Sequence, residues 1–245
     1  MNFNAQHKTI EQSLVDINTE DKIVEQSQVD FNAQNKYGST ALLFACFNGN
    51  LEVVKYLIET VKVNILKLDF RSQTILHAAV CGKNSYEVTN YLIQKSQDFG
   101  LDLNHRNRSG KSAFYIACIL CYDVQIVKLF LDNAKSKNID VLATNNHGDT
   151  ILHKACSYFE GIKKDQGKII KLILEYSNKI GLDIHQKNGQ NLSALQIVKI
   201  NIKYAKQQLE SEDEESDYNF WKNVKRFFND FVMSNMSNKK EVLIY

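Results

Sequence analysis

The chain has 245 residues, and 44% of them are hydrophobic, so it can bury a sizeable core. Its net charge of +2, with arginines that do not cluster on one periodic face, excludes a strong electrostatic field for nucleic acid or an anionic membrane. The sequence shows five cysteines, no secretory signal and no apolar run of the about 18 residues that span a bilayer. These features predict reduced thiols and a cytoplasmic location, with the nucleus or the cytoskeleton as alternatives.

Residues 1–29 predict two short helices, over 9–15 and 21–28, and carry fewer apolar side chains than the segments that follow. A terminal unit of a stacked array presents one face to water, and a low apolar content suits that position. We therefore predict that this segment is a degenerate N-terminal capping unit.

From residue 30 onward a helix-forming motif recurs five times, at spacings of 34, 38, 38 and 43 residues. Each copy opens with a hydroxyl residue, which can accept hydrogen bonds from the unpaired N–H groups at a helix start, and continues with small and apolar residues. A second amphipathic helix follows the first four copies, with apolar residues at i, i+3 and i+4. Each unit therefore has a face that only a stacked neighbour can bury. The five hydroxyl residues are Thr40, Thr74, Ser112, Thr150 and Ser193.

The motif, for example Gly148-Asp-Thr-Ile-Leu-His-Lys-Ala155, resembles the G-x-T-P-L-H-x-A opening of the ankyrin repeat. The turn over 29–40 is similar to the one that joins two ankyrin units. The resemblance covers nearly the whole chain and implies an all-α ankyrin-repeat solenoid of helix-turn-helix units joined by short β-hairpin-like fingers. Residues 30–209 then hold the repeats, with units starting near 36, 70, 108, 146 and 189. The family's proline after the hydroxyl is absent from every unit, which removes some preorganisation of the first helical turn.

Two segments follow the repeats. Residues 210–217 are acidic and are predicted to form a solvated loop, and residues 218–245 are predicted to form an amphipathic capping helix and a tail. We expect this helix to supply the second helix of the fifth unit and to close the stack. The alternative is that its apolar face binds a membrane surface or a partner. That face carries Trp221, Val224, Phe228 and Phe231.

The chain carries no recognisable catalytic motif. Cys118 and Cys121 have the C-x-x-C spacing, but no second ligand pair accompanies them. Cys118 lies six residues after a hydroxyl, as do two other cysteines, where a small buried residue is expected. His77 and His153 lie three residues after a hydroxyl, where the resemblance implies hydrogen bonds between adjacent units. We therefore predict that the chain is not an enzyme and uses no cofactor or metal.

The resemblance implies that a protein partner binds in a concave groove and at the finger tips. Groove positions lie just before the hydroxyl and seven or eight residues after it, and half of the later ones are apolar or aromatic. Exposed, they would form the kind of patch that marks a protein interface. The alternative is that long loops cover them and make them core. The groove candidates are Phe47, Asn48, Lys111, Ile119, Leu120, Asp149 and Tyr158, and the finger-tip candidates are Tyr37, Arg71, Arg108 and His147.

The predicted function is a non-catalytic protein–protein interaction module or scaffold subunit, alone or within a larger complex. One alternative is a targeting array of a larger intracellular effector or enzyme whose catalytic part lies outside these 245 residues. Another is an anchor that uses the C-terminal helix to reach a membrane or the cytoskeleton. No nucleic-acid partner is predicted.

Overall fold

The computed structural model describes residues 29–121, 123–157, 165–207 and 212–241. Residues 1–28, which form nearly all of the predicted capping unit, lie outside these ranges. The chain divides into two compact units, 1–31 and 32–245, and every helix below belongs to the second. The helices are α1 (Ala41–Asn48), α2 (Leu51–Lys55, continued by a π-helical turn, Tyr56–Thr60), α3 (Ile75–Val80), α4 (Ser85–Gln94), α5 (Ser96–Phe99), α6 (Ala113–Ile116, continued by a π-helical turn, Ala117–Cys121), α7 (Val124–Asn133), α8 (Ile151–Ala155), α9 (Gln166–Ile180), α10 (Ala194–Gln207) and α11 (Glu212–Glu241).

The helices stack in two layers. The inner layer runs α1, α3, α6, α8 and α10, and each of these packs against the next, with α8 resting on the π-helical turn that continues α6. The outer layer runs α2, α4, α7, α9 and α11 in the same way. Fingers of irregular backbone join the units, and the last finger contains one antiparallel bridge between Lys187 and Ser193. The arrangement confirms the predicted all-α repeat solenoid.

The repeated hydroxyl residue caps every inner helix, as the sequence predicts. The Thr40 side chain accepts from the Leu43 N–H, and the Ser112 and Ser193 side chains accept in the same way from the residue three positions on. At Thr74 and Thr150 the cap is reciprocal, because a histidine three residues later accepts from the backbone N–H of the capping residue. Each such cap is typically worth about 1 kcal/mol of stability.

Three cysteines belong to the core, in agreement with the structural interpretation of their spacing. Cys46, Cys118 and Cys156 are fully buried between the layers. Burial raises the pKa of Cys46 to about 12 and moves the pKa of Cys118 and Cys156 in the same direction. These thiols therefore serve as small apolar side chains rather than as nucleophiles or metal ligands.

Helix α11 packs against α9 and α10 and takes the outer position of the fifth unit. Trp221, Val224 and Phe228 are buried, and Phe231 is half-buried. The face that an anchor or a partner would need therefore covers the end of the array. The predicted acidic loop at 210–217 needs correction, because residues 212–217 already belong to α11, while 208–211 and 242–245 lie outside the described residues. Glutamate is a good helix former, and negative charge is favourable at a helix N-terminus.

Candidate partner-binding site

Each finger is built around one side-chain oxygen. Asn35 Oδ1 accepts from the Tyr37 N–H at 2.9 Å and from the Ser39 N–H at 3.0 Å. The other four fingers repeat both bonds with an acceptor at the same place, five residues before the hydroxyl. Sequence reasoning missed these residues, although their fixed distance from the hydroxyl was a usable signal. The four further acceptors are Asp69, Asn107, Asn145 and Asn188.

The finger turns also require a left-handed backbone two residues before each hydroxyl. Gly38, Gly110 and Gly148 have φ between 69° and 78°, values that glycine adopts without a steric penalty. Ser72 and Asn191 stand at the same position in the second and fifth fingers, with φ of 57° and 60°. This conformation is unfavourable for a residue with a Cβ, and it is less unfavourable for asparagine than for serine because asparagine tolerates the left-handed region.

The predicted finger-tip residues lie where the resemblance implies, and all four are exposed. The Tyr37 carbonyl accepts from the Phe70 N–H at 3.1 Å. In the same way the Arg71 carbonyl accepts from the Arg108 N–H at 2.9 Å, and the His147 carbonyl accepts from Gly189 at 2.7 Å. These bonds hold the finger backbones together while the side chains of Tyr37, Arg71, Arg108 and His147 remain accessible to solvent.

Histidines tie two of the repeat junctions together, in agreement with the expectation for His77 and His153. The Thr74 N–H donates to His77 Nδ1 at 3.3 Å, which assigns the proton of the neutral ring to Nε2. Nε2 then donates to the Lys111 carbonyl of the next unit at 3.0 Å. His153 makes the equivalent contact with the Leu192 carbonyl at 3.0 Å. Burial lowers the pKa of His77, which keeps the ring neutral.

The junction between the third and fourth units is different. Among the described residues, no backbone hydrogen bond joins these two fingers, and Tyr115 stands where the second and fourth units have histidine. A cleft of about 330 Å³ opens there. Three predicted site residues, Lys111, His147 and Asp149, line it together with Tyr115. The Asp149 carboxylate accepts from the side-chain amide of Asn145 in its own finger at 3.1 Å and from that of Asn188 in the next finger at 2.7 Å, so it fixes finger geometry.

The groove candidates at the inner-helix ends are not equally accessible. Phe47 is 45% exposed and Leu120 is 53% exposed, and Asn48 is also exposed, so for these three the alternative of a covered core does not hold. Ile119 is half-buried and packs against the core, which agrees in part with that alternative. Tyr158 lies outside the described residues.

Phe44 is an exposed aromatic side chain that sequence reasoning missed. It is 50% exposed and lies one helical turn before Phe47 on α1, so the two rings share a face. Two finger-tip aromatics, Tyr37 of the same unit and Phe70 of the next one, are 63% and 55% exposed. We call these four residues the aromatic patch. The signal that could have revealed Phe44 is a pair of phenylalanines at i and i+3 on a helix whose other residues are small or core-forming.

The family comparison agrees with this geometry. A model of ankyrin repeats in three copies matches residues 12–104 and 99–188, which is more than half of the chain. The chain belongs to the ankyrin-repeat family. Proteins of this family generally mediate protein–protein interaction, through an extended surface that the stacked units create.

Two curated relatives carry similar sequences. The mouse serine/threonine-protein kinase TNNI3K is 30% identical over 107 residues, which are 43% of this chain and 12% of the kinase. The putative ankyrin repeat protein FPV243 of fowlpox virus is 26% identical over 171 residues, 64% of this chain and 60% of that protein. The ankyrin chain thus spans less than two thirds of the length of either relative.

Solved structures share the ankyrin fold. The ankyrin repeat protein EF0377 has a TM-score of 0.58 at 22% identity, covering 91% of this chain and 90% of that one. The ankyrin repeat domain of Bcl-3 has a TM-score of 0.53 at 20% identity, covering 68% and 66%. A chain in the complex of the Bd0816 endopeptidase of Bdellovibrio bacteriovorus with the immunity protein Bd3460 has a TM-score of 0.53 at 24% identity, covering 79% and 88%.

Metal-holding groups and membrane-spanning helices are not found in the described part of the ankyrin array. Within the described ranges, no group of three or more His, Cys, Asp or Glu side chains is arranged to hold a metal ion. No described helix is long and apolar enough to cross a membrane. The family is typically non-catalytic, and the part of the chain that the structure describes shows no catalytic domain.

Proposed function

We propose that this ankyrin array is a non-catalytic module that binds a partner protein through its inner-helix groove and finger tips, alone or as a subunit of a larger complex. The aromatic patch is the observation that supports the proposal most. Its four side chains are between 45% and 63% exposed and come from one inner helix and the first two finger tips. Large rings that lose their water on binding dominate the energy of protein interfaces, and they cost little conformational entropy to immobilise.

Polar residues complete the proposed surface. Arg71 and Arg108 follow the aromatic finger tips along the stack, and Lys111 and His147 continue the row toward the cleft. Apolar contact at Leu120 and polar contact at Asn48 would extend the inner-helix side of the surface. An apolar centre with a charged rim is the usual composition of a protein interface. We propose a protein partner rather than nucleic acid because the net charge is only +2, and a cytoplasmic location because all five cysteines are free thiols.

The proposal is tested with the double variant Phe44→Ser, Phe47→Ser. Proximity labelling in the native cell identifies the partner, and the dissociation constant is then measured with purified proteins. We expect the double variant to weaken binding by at least about tenfold, because two anchors are lost. Helicity and Tm should change little, since both side chains are about half exposed.

The matched control removes two exposed aromatics from the outer layer. Tyr56 and Tyr86 are 56% and 39% exposed on the other face of the units. Tyr56→Ser, Tyr86→Ser should leave the dissociation constant within about twofold. Equal losses in both double variants, or a large fall in Tm for Phe44→Ser, Phe47→Ser, would show that the aromatic patch is not the binding surface.

A second candidate is a targeting array within a longer effector or enzyme. The match to the mouse kinase covers only 12% of that protein, so in that relative the similar segment is a small part of a longer chain. Immunoblotting of the endogenous protein distinguishes the two candidates. A band well above 28.2 kDa, removed by disrupting the gene, would favour the targeting array, and a band at that mass would favour the separate module.

A further inference from the structure

Two thiols from neighbouring repeats meet on the inner layer. Cys121 Sγ lies 3.3 Å from Cys81 Sγ and donates a hydrogen bond to it, although the two residues are 40 positions apart in the chain. Cys81 follows the last residue of α3 and is exposed, and Cys121 ends the π-helical turn and is half-buried. The pair bridges the junction between the second and third units and takes no part in the function proposed above.

The backbone explains why the thiols meet only here. Ser112 lies 12 residues before the start of its outer helix at Val124, whereas Thr74 lies 11 residues before Ser85. The third unit accommodates its additional residue in the π-helical turn, as single-residue insertions in helices commonly do. The turn brings Cys121 back toward the preceding unit. The residues at the place of Cys81 in the first and third units are Phe47 and Ile119, so those units have no thiol there.

The surroundings make Cys81 the more reactive of the two. The hydrogen bond from Cys121 lowers the pKa of the Cys81 thiol, although burial acts in the opposite direction. The same bond, together with burial, raises the pKa of Cys121. The thiolate is the form that attacks an oxidant, so Cys81 reacts first and Cys121 is held beside it as the second thiol.

We propose that Cys81 and Cys121 are a modification site at which hydrogen peroxide, or another two-electron oxidant, forms a reversible disulfide between the second and third repeats. The Cys81 thiol reacts with hydrogen peroxide to give a sulfenic acid and one water. The Cys121 sulfur then attacks the Cys81 sulfur, and the sulfenic hydroxyl leaves with the Cys121 proton as a second water. Two thiols and one peroxide thus become one disulfide and two waters, and two equivalents of reduced glutathione reverse the step.

The test uses the full chain, reduced and then exposed to a small excess of hydrogen peroxide. Peptide mapping by mass spectrometry without a reductant should recover a cross-linked pair containing Cys81 and Cys121, lighter than the two separate peptides by two hydrogen atoms. The Tm should rise by an amount on the order of 8 °C, because the cross-link closes a loop of 40 residues in the unfolded chain. Dithiothreitol should abolish both effects.

Variants distinguish a disulfide between Cys81 and Cys121 from one between the C-x-x-C cysteines, Cys118 and Cys121. Cys118→Ala should still form the cross-link, whereas Cys81→Ser and Cys121→Ser should not, and circular dichroism checks that each variant is folded. Three results with the chain that carries no substitution would each overturn the proposal. They are a disulfide between Cys118 and Cys121, a disulfide-linked dimer, and overoxidation of Cys81 without a cross-link. Peptide mapping of the chain without substitutions decides the test even if a variant fails to fold.

Discussion

The junction between the second and third repeats differs from the junction between the third and fourth. At the first, His77 donates to the Lys111 carbonyl at 3.0 Å and the Arg108 N–H donates to the Arg71 carbonyl at 2.9 Å. At the second, Tyr115 replaces histidine, the described part of the two fingers shares no backbone hydrogen bond, and a cleft opens. The inner helices stack at both. Apolar packing is therefore sufficient to continue the array, and the polar ties decide how firmly adjacent units are held.

Removing the histidine tie should have the largest effect. His77→Leu leaves the buried Thr74 N–H without its acceptor and removes one of the two hydrogen bonds that the Lys111 carbonyl accepts, the other coming from the Asn107 N–H. An unsatisfied buried group costs about 1–3 kcal/mol and a lost hydrogen bond about 1 kcal/mol, so we expect a loss of about 2–3 kcal/mol in the free energy of unfolding. Urea denaturation followed by circular dichroism measures it. The companion variant Tyr115→Leu keeps the Ser112 cap and should lose less than about 1 kcal/mol.

The same histidine predicts how stability depends on pH. Burial, more than any other cause, lowers the pKa of His77 from its ordinary value of 6.5. Below pH 6.5 the unfolded chain binds a proton at His77 that the folded chain does not bind. The stability that the neutral ring contributes at higher pH is therefore lost as the pH falls toward the pKa of His77 in the folded chain. Unmodified protein should therefore lose more stability than His77→Leu between about pH 7 and about pH 5. Parallel pH profiles would contradict the assignment.

Hydrogen exchange compares the finger junctions directly. The Phe70, Arg108 and Gly189 amides each donate to the preceding finger, whereas the structure gives the equivalent amide of Asn146 no backbone acceptor among the described residues. We expect the Asn146 amide to exchange at least about tenfold faster than the other three, which corresponds to one hydrogen bond of about 1.4 kcal/mol. Comparable protection at all four positions would show that the cleft closes in solution.

Much of this architecture could be predicted because one hydroxyl residue marks the start of the inner helix in each unit. The hydroxyl caps five inner helices, and counting from it located the buried cysteines and the linking histidines. The acidic run was harder to predict, because charge alone does not separate a solvated loop from the start of a long helix such as α11. The helix forms because residues about ten positions later bury an aromatic face on α9 and α10.

The cleft and the thiol pair could not be predicted from the sequence, for a different reason. Both depend on how neighbouring units are aligned, and the alignment at Cys121 follows from a π-helical turn that has no pattern of its own. The spacing C-x-x-C drew attention to Cys118, which is buried, while the thiol that Cys121 contacts lies in another repeat. The same limit applies to the site candidates. Phe47, Leu120 and Ile119 all lie seven or eight residues after a hydroxyl, but only the structure shows that the first two are exposed and the third is half-buried.

The smallest expected effect concerns backbone strain in the fingers on either side of the tied junction. Ser72 in the second finger has φ of 57°, and Gly110 in the third has φ of 69°. Ser72→Gly should stabilise the fold by about 0.5–1 kcal/mol, because relief of the left-handed strain exceeds the entropy that glycine adds to the unfolded chain. Gly110→Ala should destabilise it by about 1 kcal/mol. A Cβ added at Gly110 would meet no other residue beyond its chain neighbours within 4 Å, so only the conformation is penalised. Thermal unfolding of both variants measures these changes, and Asn191→Gly provides the matched case with a smaller gain. If Gly110→Ala were neutral, the left-handed turn would not be the source of the difference.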